Sequence, residues 1–141
     1  MKILLATENR GKVRELRQIL AWLPLAMVCP ADTGLSLSLD EDGTTFRENA
    51  ILKACAYAKA SGLPTLADDS GLEVDALDGR PGVMSARYAG EGATDAKRRR
   101  KLLAEMADVA AEHRTARFRC VIALVWANRL YTTEGICEGE I

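Results

Sequence analysis

A short apolar run, Met1–Ala6, passes straight into the turn Thr7-Glu8-Asn9-Arg10-Gly11-Lys12 and then into an amphipathic stretch. The run is short enough to be a buried strand. Beyond it Val13, Leu16, Ile19, Leu20 and Leu23 fall on one face of a helix. The first N–H groups of such a helix lack intrahelical partners and carry a partial positive charge. A turn holding a hydroxyl, an amide, a glycine and two cations at that point attracts a phosphate. The pattern points toward nucleotide chemistry.

The rest of the chain fits one domain of mixed class. At 141 residues it can bury a real core, and its 48% apolar and 28% charged content is ordinary for a globular protein. A net charge of -1 creates no global field for nucleic acid, so nucleic acid is not an expected partner. No secretory pattern follows Met1, and no apolar run approaches the length of a membrane span. Cys29, Cys55, Cys120 and Cys137 are widely spaced, with only His113 to join them. Four reduced thiols in a cytoplasmic protein fit better than a disulfide scaffold or a zinc site.

Further along, the first helix should stop near Leu23-Pro24, and Leu25–Cys29 reads as a second strand. Asp32–Gly43 reads as a loop ending in the acidic group Asp40-Glu41-Asp42. Thr45-Phe46-Arg47-Glu48 fits a capping box that opens a helix to about Ala60, stopped by Gly62. In it Ala50, Ala54 and Ala58 form a narrow stripe, and Asn49 and Lys53 share a face. Thr65–Ala67 reads as a strand ending at Asp68-Asp69-Ser70-Gly71, with Leu72–Leu77 returning as an extended segment. Gly79–Gly92 is a long glycine-rich loop. Thr94 or Asp95 caps a third helix to about Ala111, with Leu102, Leu103, Met106 and Val109 or Ala110 inward. Thr115–Ala127 alternates, with Ala116, Phe118, Cys120, Ile122, Leu124 and Trp126 on one face. A turn at Asn128-Arg129 then leads into a returning strand, Leu130–Ile141. The expected class is α/β, a mixed sheet with flanking helices and at least one antiparallel hairpin.

Chemistry concentrates in a few acidic and basic residues. Neighbouring side chains on an extended backbone point to opposite sides, so one of Asp68 and Asp69 could face a site while the other faces structure. An acidic turn is an equally ordinary reading of that pair in isolation. With Glu41, the two aspartates offer the hard oxygens that suit Mg²⁺. Lys12 at a helix start is mildly unfavourable unless an anion is near; Lys53 alone reads as an exposed helix residue. Arg98-Arg99-Arg100-Lys101 points around most of a helix and reads as a solvated face. No G-x-x-x-x-G-K-[ST] loop exists and no G-x-G-x-x-G follows the first strand, which disfavours P-loop and Rossmann folds.

Five segments in order carry a resemblance. They are Thr7-x-Asn9-x-x-Lys12, Thr45-Phe46-x-Glu48-Asn49-Ala50-Ile51-Leu52-Lys53-Ala54, Ala67-Asp68-Asp69-Ser70-Gly71-Leu72, Pro81-Gly82-Val83-x-Ser85-Ala86-Arg87-Tyr88 and Ala116-Arg117-Phe118-x-Cys120. With these the chain closely resembles the inosine/xanthosine triphosphate pyrophosphatase family, from residue 2 to the end. The resemblance implies a Maf/Ham-like fold with a substrate cleft between two lobes. It implies hydrolysis of (d)ITP or XTP to the monophosphate and pyrophosphate, with Mg²⁺, in a homodimer. Thr7, Glu8, Asn9, Arg10, Gly11 and Lys12 would cradle the triphosphate, and Lys53 would add a second cation. Asp69 resembles the general base and also a metal-site carboxylate, with Glu41 and Asp68 helping to hold Mg²⁺. Ser70 would contact substrate, and Ser85–Tyr88 would shape a wall.

The family's later Phe-Gly-Tyr-Asp and Ser-His-Arg segments, which grip the purine base, have no counterpart here. The expectation is a single pyrophosphatase domain, 1–141, incomplete at its C-terminus. A nucleotide-binding fragment without turnover and a Maf-like pyrophosphatase are the alternatives.

Overall fold

The computed structural model describes every residue, Met1–Ile141. Its five strands form one sheet in the order β2-β1-β3-β4-β5, where β1 is Lys2–Leu5, β2 Ala26–Val28, β3 Thr65–Val74, β4 Thr115–Trp126 and β5 Arg129–Glu140. β1 runs parallel to both its neighbours, with Ile3 opposite Met27 and Leu4 opposite Thr65. Ile3, Leu4 and Leu5 are all buried, so the strand is apolar without alternation. The mixed sheet with helices packed on it is the α/β class read from the sequence.

The helices are α1 (Arg10–Ile19), α2 (Pro30–Thr33), α3 (Phe46–Ser61) and α4 (Asp95–Glu105). α1 starts earlier than its apolar periodicity suggests, because Asn9 caps it: Asn9 Oδ1 accepts from the N–H groups of Gly11 (2.9 Å) and Lys12 (3.2 Å). It also ends before Leu23, leaving Ile19 exposed. α2 overlaps only the start of the Asp32–Gly43 stretch read as loop, with Pro30 at its first position and left-handed Gly34 closing it. α3 follows its sequence signals closely. Thr45 Oγ1 accepts from the Glu48 N–H at 3.1 Å, the Glu48 carboxylate reaches back to the Thr44 N–H at 2.7 Å, and Gly62 ends the helix at φ 69°. Ala50 and Ala54 are fully buried where α3 meets β1.

The largest departure from the sequence reading is β3. The turn expected at Asp68-Asp69-Ser70-Gly71 does not form; the strand runs through it to Val74. Asp, Ser and Gly are poor strand formers, but β3 continues past the end of β1, which pairs with it only at Thr65 and Leu66, and its place beside β4 in the sheet overrides propensity.

The chain divides into two compact units, Met1–Asp69 with Val121–Thr133, and Ser70–Cys120 with Glu134–Ile141. In the first, the buried apolar residues include Ile3, Leu4, Leu5, Val13, Ala50, Ala54, Tyr57, Val121 and Ala123. The second is built on Val74, Leu77, Leu102, Met106 and Ala116, with Leu72, Tyr88, Val109 and Ile141 packed around them. There α4 stops at Glu105 rather than continuing to 111, and Leu103 is exposed. The Arg114 guanidinium donates to the carbonyls of Met106 and Val109, satisfying acceptors that a longer helix would have used.

β4 does not bury a single face. Ala116 is buried, but Phe118 and Trp126 of the same parity are exposed, and the buried residues further along are Val121 and Ala123. One strand supplies two cores, and the inward face changes between them. The hairpin turn to β5 lies one residue earlier than expected, at Ala127 and Asn128, both left-handed at φ 50° and 58°. That is the geometry of a two-residue type I′ connection. In the second unit an ion-pair ladder crosses the strands. Arg117 pairs with Asp75 and Glu138, and Arg119 with Glu73 and Glu134. No helix is long and apolar enough to cross a membrane, and none of the four cysteines forms a disulfide.

Candidate active site

Within the first unit, β3, α1, α3 and the segment before α3 bring five of the singled-out side chains together. Lys12, in the first turn of α1, places Nζ 2.6 Å from Asp68 Oδ2 on β3. Lys53, half-buried about two turns into α3, places its Nζ 2.6 Å from Glu41 and also donates to the Asp68 carbonyl at 3.0 Å. Asp68 is almost wholly buried, at 6% exposure, so the ammonium beside it replaces the solvation it has lost.

Asp69 has a different environment from its neighbour. Its Oδ2 is buried and has no hydrogen-bond partner. Burial is the largest influence on it and pushes the carboxyl above its usual range. A hydrogen bond from Asn49 and the charges of Lys53 and Lys12 pull the other way, while Glu41 adds to the upward push. A carboxyl whose charged form burial disfavours, in the field of two cations, has the chemistry of a proton acceptor.

Asn49 is a site residue that the sequence reading did not assign. It is 1% exposed, and its Oδ1 accepts from the Gly43 N–H at 2.8 Å while its amide serves Asp69. A Cβ at Gly43 would lie 2.5 Å from that oxygen, so only glycine permits the approach. The signal in the sequence was the four-residue spacing of Asn49 and Lys53, which continues to Tyr57. Tyr57 is likewise unassigned by sequence. It lines a polar cavity of about 210 Å³ together with Ala6, Thr7, Glu8, Glu41 and Lys53.

Of the expected phosphate turn, Thr7 and Asn9 are engaged in local structure. The Asn9 N–H donates to Thr7 Oγ1 at 3.2 Å, and Asn9 Oδ1 occupies the amides of Gly11 and Lys12. Two of the helix's orphan donors are therefore already used, which shifts the anion-binding capacity of this turn toward its side chains. Glu8 and Arg10 are exposed, and Ser70, half-buried, follows Asp69 along β3. Neither Arg10 nor Ser70 joins the lysine–carboxylate pairs.

Glu41, Asp68 and Asp69 do not close into a three-carboxylate cage. Asp68 faces Lys12, Glu41 faces Lys53, and Asp69 alone keeps a bare buried oxygen. Mg²⁺ commonly takes one or two carboxylates and completes its shell with water and substrate phosphates. The orphaned oxygen of Asp69, with Glu41 close by in the field, fits that kind of site.

The profile of the Ham1 family matches residues 3–141, nearly the whole chain. The chain belongs to the Ham1 family. It is 54% identical to the dITP/XTP pyrophosphatase of Escherichia coli K12 over 99% of its length and 70% of that protein's. With the dITP/XTP pyrophosphatase of Desulforamulus reducens it shares 51% identity, covering 100% of this chain and 71% of the relative. The Ham1 fold is matched equally closely in solved structures. A HAM1 protein from Coxiella burnetii superposes with a TM-score of 0.90 at 42% identity, over 100% of this chain and 73% of the other. The Ham1 protein of Staphylococcus aureus gives 0.88 at 38% identity, over 100% and 72%.

Proposed function

We propose that this Ham1-family chain hydrolyses the α–β phosphoanhydride of non-standard purine nucleoside triphosphates, dITP, ITP and XTP, releasing pyrophosphate. The observation that carries the reading is the Asp69 carboxylate, whose buried Oδ2 has no hydrogen-bond partner, lying in the field of two ammonium groups, Lys12 and Lys53, each 2.6 Å from another acid. The names of the relatives at 51–54% identity support the substrate class.

A triphosphate brings up to four negative charges, which must be neutralised while water is aligned and the leaving group stabilised. In this reading Lys12 and Lys53 exchange their carboxylate partners for phosphate oxygens. Asn9, through the rest of its amide, and the turn Thr7–Lys12 orient the chain of phosphates, and Ser70 contacts substrate beside the base. Asp69 accepts a proton from the attacking water at a carboxylate oxygen. The new P–O bond forms at the α-phosphorus, and the bond to the bridging oxygen breaks with its electron pair leaving on pyrophosphate. Asn49 holds Asp69 in the ionised, oriented state. Mg²⁺, held by Asp69 with Glu41 and Asp68 directly or through water, would supply Lewis-acid neutralisation and a template. A homodimeric, cytoplasmic enzyme belongs to the same proposal.

The test is pyrophosphate release by the 141-residue chain from ITP, dITP, XTP, ATP, dTTP and UTP, with Mg²⁺ and with chelator. Selective, Mg²⁺-dependent turnover of the inosine and xanthosine nucleotides is expected. Turnover of the pyrimidine nucleotides instead, or binding without turnover, would overturn the assignment.

A further inference from the structure

The two lysines of the first unit are each bonded to an acid. Lys12 Nζ lies 2.6 Å from Asp68 Oδ2, and Lys53 Nζ lies 2.6 Å from Glu41 Oε1. Lys53 also donates to the Asp68 carbonyl at 3.0 Å, so both ammonium groups converge on one residue of β3. The two acids differ in what the loss of a lysine does to them. The Glu41 side chain is 34% exposed, and water can resolvate it when its partner turns away. The Asp68 side chain is 8% exposed, so water reaches it far less. A buried carboxylate deprived of its counter-charge is strongly destabilised.

A phosphate that draws Lys12 to itself therefore gains an ammonium and strands an anion. The penalty is relieved when the incoming group brings a cation of its own to stand near Asp68. This inverts the ordinary charge preference of a basic site. Two unpaired ammonium groups would favour the more highly charged ligand, a free polyphosphate over its metal chelate. Ammonium groups already neutralised by acids, one of them buried, favour the chelate.

We propose that Asp68 is a specificity-determining residue: through its ion pair with Lys12 it makes the site take a polyphosphate as its Mg²⁺ chelate and discriminate against the free anion. The inference rests on the phosphate site of the pyrophosphatase reading and goes beyond it, because it makes cation and phosphate binding interdependent. Asp68 rather than Glu41 sets the preference, since only Asp68 is shielded from water.

Calorimetric titration of inorganic pyrophosphate into the 141-residue chain, with Mg²⁺ or with chelator, reads this preference without turnover. The wild type should bind on the order of ten-fold tighter with Mg²⁺, the scale of leaving a buried charged group unpaired. Asp68→Asn keeps the side-chain shape and removes the charge. It should tighten metal-free binding by a similar factor and lose most of the preference, while Glu41→Gln keeps it. In a Lys12→Met background Asp68→Asn should no longer tighten metal-free binding, because no ion pair is left to break. A carboxylate that merely repels anions would still show the effect there. Lys12→Met alone should bind Mg²⁺ without phosphate more tightly than the wild type, a result that does not depend on Asp68→Asn folding. A wild type that prefers free pyrophosphate would overturn the proposal. So would an Asp68→Asn variant that keeps the chelate preference, or tightening that persists without Lys12. A chain that hydrolyses no nucleotide yet shows the chelate preference and its loss in Asp68→Asn would refute the hydrolase reading and uphold this role of Asp68.

Discussion

Lys12 Nζ, in the first turn of α1, lies 2.6 Å from the buried Oδ2 of Asp68, halfway along β3. The pair joins the phosphate turn to the strand that carries the proposed base. Lys12→Ala would leave the Asp68 carboxylate uncompensated, at a cost of about 2 kcal/mol. In a chain of this size that lowers Tm by roughly 5 °C. The KM for ITP should rise as well. Lys12→Met combined with Asp68→Asn should recover the Tm and not the KM, which separates the structural from the substrate role. Unchanged KM and kcat in Lys12→Ala would remove Lys12 from the phosphate site.

Asp69→Asn should reduce kcat by at least ~100-fold, the usual contribution of a placed general base. It should also stabilise the fold at neutral pH. Asp69 has a folded pKa raised above its unfolded value, so its ionisation opposes folding. That penalty is absent at pH below the unfolded value, grows as pH rises, and is complete above the folded value. Thermal melts of the two proteins should therefore coincide near pH 3 and diverge toward pH 7, with Asp69→Asn the higher by roughly 2–4 °C. A variant that melts lower at neutral pH would contradict the strained-carboxylate account.

Asn49→Ala removes the hydrogen bond that favours ionised Asp69 and orphans the Gly43 N–H. The cost in stability should be about 1–3 kcal/mol. With that bond lost, the Asp69 carboxyl rises further, so the acidic limb of the kcat/KM profile should move to higher pH. Gly43→Ala, whose Cβ would collide with the same amide oxygen, should shift the limb in the same direction. A limb that stays in place in both variants would mean that Asn49 serves structure alone.

The ladder in the second unit gives a pH effect of opposite sign. Hydrogen bonds from Arg117 and Thr115 hold the Asp75 carboxyl below its usual range. Its contribution is fully present above the unfolded value of about 4 and is lost as pH falls toward the folded one. Asp75→Asn should therefore melt below wild type at pH 7, and the gap should close on acidification and narrow in high salt. A gap independent of both would assign the effect to packing.

Local signals were legible and long-range ones were not. Thr45, Glu48 and Gly62 announce α3 because a cap is settled within a turn of chain. The short Asp95–Glu105 helix was overextended, since the termination depends on Arg114 reaching back from beyond it. Asp68-Asp69-Ser70-Gly71 reads as a turn by residue type, and only the sheet it continues makes it extended. Lys12, Lys53, Glu41 and the two aspartates could be named from the sequence, and the structure brings them together. Which lysine faces which acid was invisible, because a side-chain pair across 56 positions leaves no periodic trace. Asn49 escaped for a related reason: an uncharged residue buried on a helix looks like packing until the Gly43 amide it holds is seen.

The unbroken course of β3 also limits how such a chain can change. Asp68 and Asp69 are told apart only by the alternation of a pleated strand. Deleting or inserting one residue upstream of them within β3 would exchange the acid that anchors a lysine for the acid that stands bare. A loop absorbs length changes; a strand within a sheet does not. Variation in this region should therefore be confined to substitution, and chimeras that join two relatives should place their junctions outside Thr65–Val74.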